Sequence, residues 1–333
     1  MIPTSRTLLA VLLVSLSSGV LAQTPKPVEF QYPPEDLGAG SLETRSLRQQ
    51  QTVGQFQVLH DFRFEDRAPT SGIDFVHESV QDSLKTWMPV HYDHGNGIAV
   101  ADVDGDQRLD IYFTTQLGAN RLYRNLGGGR FEDITEVAGV AIADRIGVTA
   151  SFADADTDGD PDLFVTTVRG GNMLFENLGQ GRFRDVSRES GLDYSGHSSG
   201  AVWFDYDRDG LLDLFLTNIG VYTIDEVGPG EFYRGIDDAF QGHIYPERTE
   251  PSILYRNRGD LRFEDVSART QLVDTSWSGD ATFVDFNRDL FPDLYVLNMQ
   301  GDDHYYENVG GKSFVERSAE LFPKTPWGAG GGE

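Results

Sequence analysis

An aspartate loop of the form D-x-[DN]-x-D-x-x-x-D occurs four times, beginning at Asp102, Asp154, Asp205 and Asp285. Each loop runs straight into a short apolar segment: Ile111-Tyr112-Phe113-Thr114, Leu163-Phe164-Val165-Thr166, Leu214-Phe215-Leu216-Thr217 and Leu294-Tyr295-Val296-Leu297. Such runs, rich in β-branched and aromatic residues, read as buried strands. A loop feeding a helix is excluded on the same ground. An EF-hand also needs a carboxylate at position 12, where this chain has Phe113, Val165, Leu216 and Val296.

Positions 1, 3, 5 and 9 supply side-chain oxygens, and position 7 a backbone carbonyl. The candidate ligands are therefore Asp102, Asp104, Asp106, Arg108 (carbonyl) and Asp110; Asp154, Asp156, Asp158, Asp160 and Asp162; Asp205, Asp207, Asp209, Leu211 (carbonyl) and Asp213; and Asp285, Asn287, Asp289, Phe291 (carbonyl) and Asp293. Six or more hard oxygens at flexible spacing suit Ca²⁺ better than Mg²⁺, one ion per loop and four in the chain. Position 6 calls for a left-handed backbone, which glycine supplies at Gly159 and Gly210, whereas loop one has Gln107 there, with Gly105 two places earlier, and loop four has Leu290. Loop two is thus expected to bind best. Loop four, with Asn287 for an aspartate and no glycine, is expected to bind worst.

Successive loops start 52, 51 and 80 residues apart. An aromatic-x-Asn-x-Gly turn follows each at Asn125, Asn177, Asn257 and Asn308, and a phenylalanine comes six residues later at Phe131, Phe183, Phe263 and Phe314. Each unit therefore offers four strands, the last two joined by hairpin chemistry. Repeated four-stranded antiparallel units of this length describe an all-β chain folded as a β-propeller. Blades are expected at about 90–140, 141–192, 193–272 and 273–320, the third with an insertion at 219–250.

The run Asp-Val-Asp-Gly-Asp-Gln-Arg-Leu-Asp-Ile-Tyr, followed by Asn-Arg-Leu-Tyr-Arg-Asn-Leu-Gly-Gly-Gly-Arg-Phe-Glu-Asp, resembles the FG-GAP or VCBS-type repeat. The integrin-α-like propellers belong to the same class. The opening Phe64-Glu65-Asp66 and Ser71-Gly72-Ile73-Asp74-Phe75-Val76-His77 are similar to the bacterial cartilage-acidic-protein-like family. The resemblance covers about residues 61–333 and implies a calcium-stabilised propeller, commonly seven-bladed, used in extracellular recognition. The repeat period places a fifth loop just beyond Glu333, after a lead-in at 327–333, so the sequence reads as about four whole blades of a larger ring, truncated at its C-terminus.

Residues 1–22, with Arg6, the run Leu8–Val14 and Ser17-Ser18-Gly19-Val20-Leu21-Ala22, read as a signal peptide cleaved before Gln23. With no cysteine there is neither a lipobox nor a disulfide, and the expected compartment is secreted or periplasmic. Residues 23–60 are polar and glutamine-rich and read as a flexible leader. The formal net charge of −26 argues against nucleic acid or anionic membrane as partner, although 16 of the 53 acidic residues lie in the four loops.

The insertion carries Tyr222, Phe232, Tyr233, Phe240, His243 and Tyr245 with Arg234, Asp237 and Asp238. It is expected on the face opposite the loops, with His91, His94, Ser195 and His197, as a surface for a protein or glycan. The functional expectation is a recognition scaffold without catalysis. The alternative is a lyase-like, polysaccharide-degrading enzyme using His91 and His94, a weak pattern without a nucleophile elbow, phosphate loop or zinc-ligand set.

Overall fold

A computed structural model describes residues 39–52, 54, 64–80, 97–228, 232–236, 245–300 and 302–321. The chain divides into two units, Met1–Phe64 and Glu65–Glu333. Within the first, the polar leader contains a 14-residue helix, α1 (Ala39–Thr52). Its Leu, Glu, Arg and Gln content is helix-favouring, with no proline to interrupt it.

The second unit is built of antiparallel sheets. Blade 1 is β1 (Ile98–Ala101), β2 (Asp110–Phe113), β3 (Arg121–Gly127) and β4 (Arg130–Asp133). Blade 2 is β5 (Ile146–Ala153), β6 (Asp162–Val168), β7 (Met173–Asn177) and β8 (Phe183–Asp185). Blade 3 is β9 (Ser198–Phe204), β10 (Asp213–Asn218), β13 (Ile253–Asn257) and β14 (Phe263–Asp265), with β11 (Thr223–Val227) and β12 (Tyr233–Gly235) as a separate hairpin between β10 and β13. Blade 4 is β15 (Trp277–Val284), β16 (Asp293–Gln300), β17 (His304–Val309) and β18 (Ser313–Glu316).

The first strands of successive blades, β1, β5, β9 and β15, lie next to one another. This is the radial arrangement of a β-propeller, with four blades among the described residues. The cores lie between blades, not within them. Tyr112 and Leu122 of blade 1 pack with Leu163, Val165 and Phe175 of blade 2. Phe164 and Leu174 meet Leu214, Leu216 and Tyr255, and Phe204 and Phe215 meet Leu294, Val296 and Phe314. Covered on both faces, β6 is buried at every position, which is why its sequence is a continuous apolar run. At the outer face of blade 4, by contrast, Phe283, Leu297 and Met299 are exposed.

The Phe-x-Asp-x-[Ser/Thr] segments close blades 1 to 3 in the same way. Asp133, Asp185 and Asp265 accept the amides of Thr135, Ser187 and Ser267 at 2.9 Å, starting the one-turn helices α3 (Thr135–Ala138), α4 (Ser187–Ser190) and α5 (Ser267–Thr270). The hydroxyls of those Thr and Ser residues then accept an amide from the third strand, at Leu122, Leu174 and Leu254. Residues 66–72 repeat the device. Asp66 accepts the Ala68 amide at 2.9 Å, α2 (Ala68–Ser71) follows, and Gly72 takes φ 85° as Gly139 and Gly191 take 78° and 83°. Residues 64–67 themselves carry no strand. Phe75 instead stacks on Phe113 of blade 1 with ring centroids 4.9 Å apart.

Candidate metal centres

Every aspartate loop connects the first and second strands of its blade. The up-and-down order therefore places all four on one face, together with the turns joining third and fourth strands. The loops share a backbone. Positions 4 and 6 are left-handed in all of them: Gly105 and Gln107 (φ 76° and 66°), Thr157 and Gly159 (64° and 97°), Arg208 and Gly210 (61° and 92°), Arg288 and Leu290 (63° and 75°). Glycine at position 4 explains Gly105. Loop four alone holds both positions without glycine.

Local hydrogen bonds shape the carboxylates into a cup. The position-1 carboxylates of Asp102, Asp154, Asp205 and Asp285 accept the amide of position 6 at 2.7, 3.1, 2.9 and 3.0 Å. Position 5 accepts the amide of position 7 in every loop, at 2.9 Å for Arg108, Asp160 and Phe291 and 3.0 Å for Leu211. Three loops gather their acids closely enough to share an ion. Asp102, Asp104 and Asp110 form one group, Asp154, Asp156 and Asp158 another, and Asp205, Asp207 and Asp213 a third, each offering oxygens within 4.8 Å of one another. In loop four Asn287 breaks the pattern, its amide donating to Asp289 at 3.1 Å.

Two observations test whether these residues suit a cation. Asp154 Oδ1 and Asp207 Oδ1 are buried without a hydrogen-bond partner, a costly state for a carboxylate oxygen. The donors are also all oxygen, the set a hard divalent ion takes. These clusters fit a hard divalent cation, which Asp154, Asp156 and Asp158 would hold in loop two, Asp102, Asp104 and Asp110 in loop one, and Asp205, Asp207 and Asp213 in loop three.

The position-9 aspartates do something else as well. Asp110, Asp162, Asp213 and Asp293 are almost wholly buried. One oxygen of each accepts the amide of loop position 2 and the other accepts the amide of the blade's turn asparagine. Burial pushes Asp162 and Asp213 up to about 7, against the pull of those amides.

The turn asparagines reach across blades. Asn177 Nδ2 donates to the Val103 carbonyl of blade 1 at 3.2 Å, Asn257 Nδ2 to Ala155 of blade 2 at 2.6 Å, and Asn308 Nδ2 to Tyr206 of blade 3 at 2.8 Å. Each acceptor is position 2 of the preceding blade's aspartate loop, so each candidate centre is tied to its neighbour.

The residue between aromatic and asparagine alternates in charge: Arg124, Glu176, Arg256, Glu307. Arg256 Nη2 lies 2.7 Å from Asp207 and 3.0 Å from Asp209, and Arg124 Nη1 lies 4.0 Å from Asp104. Loops one and three thus carry an internal cation. In loop two, burial and then the charge of Asp158 push Asp156 upward, with Glu176 adding to the push. Sequence reasoning treated Asn and the residue before it as turn chemistry. The signal lay in their fixed distance from the loop.

On the opposite face, the insertion is anchored to the blades. His197 is buried, its backbone amide 2.6 Å from Glu250 Oε2, its Nδ1 3.0 Å from Glu250 Oε1 and its Nε2 2.8 Å from Thr223 Oγ1. Tyr222 and Phe232 are buried in a cluster with Ile146, Val168 and Trp277. Those two aromatics are therefore core residues and not recognition surface. His91, His94, Asp237, Asp238, Phe240 and His243 lie outside the described residues.

The model of the FG-GAP-like repeat matches residues 102–165 and 154–216, which include loops one to three. Human cartilage acidic protein 1 is 29% identical over 180 residues, 49% of this chain and 24% of that protein. Its Xenopus tropicalis counterpart is 30% identical over 131 residues, 38% of this chain and 20% of that protein. The matched region thus spans about a quarter of the length of these relatives. Among solved structures, an Agrocybe aegerita lectin that recognises non-reducing terminal N-acetylglucosamine aligns with 18% identity and a TM-score of 0.35, over 65% of this chain and 49% of that one. No helix among the described residues is long and apolar enough to cross a membrane.

Proposed function

We propose that this chain, an FG-GAP repeat protein similar to cartilage acidic protein 1, is a secreted or periplasmic calcium-binding propeller that serves as a scaffold for recognising a protein or glycan. The observation that carries this reading is the recurrence of one carboxylate cup at the same connection of three blades. A single acidic turn has many explanations, but three in one register, two with an orphaned buried oxygen, ask for a cation.

Calcium in this reading staples the propeller. It neutralises the acids that the loops crowd together and sets the loop carbonyls to which the next blade's asparagine binds. Asp102, Asp104, Asp106 and Asp110, Asp154, Asp156, Asp158 and Asp162, and Asp205, Asp207, Asp209 and Asp213 are the side-chain ligands in this reading, with carbonyls of Arg108, Asp160 and Leu211 beside them. Loop four, with Asp285, Asn287, Asp289, Asp293 and the Phe291 carbonyl, is the weakest site. The opposite face, where the insertion is fixed to the blades, is free to recognise. No catalytic role is assigned to any residue.

A glycan array probed with the labelled chain, in calcium and in excess chelator, tests the scaffold. The reading expects a restricted set of glycans bound in calcium and reduced by the chelator. Product formation from any polysaccharide would replace it with the lyase alternative.

A further inference from the structure

The face opposite the aspartate loops contains a cleft of ≈ 430 Å³. Its walls come from the β2–β3 connection, the connection from blade 1 to blade 2, the β6–β7 connection and the hairpin of the insertion. In a chain of net charge −26, two arginines, Arg145 and Arg169, line it. We propose that this cleft binds the carboxylate of an acidic sugar, a uronic acid, through Arg145 and Arg169. The proposal rests on the scaffold reading and gives it a site and a ligand class.

Both guanidiniums are held in place by the fold and neutralised only loosely. Arg145 Nη1 donates to the Gly171 carbonyl at 2.9 Å, and its Nε lies 3.6 Å from Asp144, a carboxylate 78% exposed. Arg169 Nη1 donates to the Ile224 carbonyl at 3.1 Å, and its Nη2 lies 2.6 Å from Asp225, 94% exposed. Its guanidinium carbon stands 3.9 Å above the Tyr233 ring. The Arg169 backbone is itself left-handed (φ 56°), fixed by its amide to Gly196 O at 2.7 Å and by its carbonyl to Ser195 Oγ at 2.8 Å. A strained residue so determined by its surroundings is a feature of binding sites.

Ion pairs to solvent-exposed carboxylates are weak and exchangeable, so a ligand carboxylate can replace Asp144 or Asp225. The planar guanidinium fork matches a carboxylate in two-point contact. The apolar side of the cleft, Leu117, Ile146, Val168 and Val227, suits the C–H face of a pyranose ring. The volume falls within the range of small-molecule sites. None of the cleft's lining residues lies in a helix, so the usual supplement for a phosphate, a helix N-terminus, is missing.

Ligand-observed NMR titration of the chain in calcium, using methyl β-D-glucuronide as probe, tests the assignment. Methyl β-D-glucoside differs by the carboxylate alone, and inorganic phosphate tests a generic anion. The expected result is saturable binding of the glucuronide, with glucoside and phosphate at least about tenfold weaker. Arg145→Gln should weaken the glucuronide by about tenfold. Val227→Asp, an exposed position at the cleft wall, should do so by repulsion without disturbing the fold. No glucuronide binding, equal binding of phosphate, or wild-type affinity in both variants would overturn the proposal. Thermal unfolding of the same samples with and without calcium separates the two readings. Calcium stabilisation without glucuronide binding removes the cleft assignment alone, whereas absence of calcium stabilisation removes the scaffold.

Discussion

Among single residues, inequality between the loops follows from backbone and charge. Leu290 holds φ 75° where loops two and three have glycine, and a left-handed β-carbon costs about 1–2 kcal/mol. Leu290→Gly is therefore expected to stabilise the chain by about 1 kcal/mol, a rise of roughly 2–4 °C in thermal midpoint. An unchanged or lower midpoint would show that the side chain, 65% exposed, matters in another way. Charge acts at the residue before each turn asparagine. Arg256 occupies the acids of loop three, while Glu176 adds to those of loop two. Arg256→Glu should raise calcium affinity at loop three, and Glu176→Arg lower it at loop two, each by about tenfold or ~1.4 kcal/mol. Calorimetric titration reads both, and a shift of the opposite sign in either would remove the arginine's role as an internal counter-ion. The position-6 requirement was legible from the spacing of Gly159 and Gly210. The arginine was not, because nothing in a one-dimensional pattern shows which turn residue bends back over a loop 47 positions earlier.

Between elements, the blades are joined by two repeated polar latches. On the loop face the asparagine side chains of blades 2, 3 and 4 bind a carbonyl of the preceding blade. Nearer the opposite face, Thr114, Thr166 and Thr217 accept an amide of their own first strand through Oγ1. The same hydroxyls donate to the next blade's first strand at Val148, Ser199 and Gly279, at 3.1, 2.8 and 3.4 Å. Buried polar groups so matched specify register as apolar packing alone does not. Asn257→Ala removes donors to Ala155 and Leu212 and the acceptor for Gly259, leaving buried partners unsatisfied. The expected loss is about 3 kcal/mol in denaturant unfolding, and a loss below about 0.5 kcal/mol, the level of a neutral surface change, would contradict the latch. Strand existence and order were readable because period, loop and turn recur together in each unit. The latches were hidden because Asn in Asn-x-Gly is already explained by the hairpin, and Thr at the end of an apolar run by β propensity. The helix at Ala39–Thr52 was missed because a glutamine-rich composition suggests disorder even where Leu, Glu, Arg and Gln, good helix formers, make up most of the segment.

For the whole molecule, the proposed folded state is an acidic assembly completed by calcium. Its pH behaviour follows in sign. Asp162 and Asp213 stand at about 7 in the fold, raised by burial, against about 3.9 when unfolded. Without metal the folded state therefore holds protons that the unfolded state releases, and stability falls as pH rises from about 4 to about 7. With calcium the order reverses, because the ion binds ionised carboxylates and protons compete with it. Fold class was legible at this scale, and so was the face carrying the loops. What the opposite face recognises was not, since the insertion's aromatics divide into core and surface only once packed. The most direct measurement is thermal unfolding of the chain at neutral pH in ~1 mM calcium and in excess chelator. With three or four sites each contributing roughly 1.4 kcal/mol at a Kd of ~10⁻⁴ M, calcium should raise the midpoint by on the order of 10 °C. Coincident transitions in calcium and chelator would contradict the claim that these loops are calcium staples.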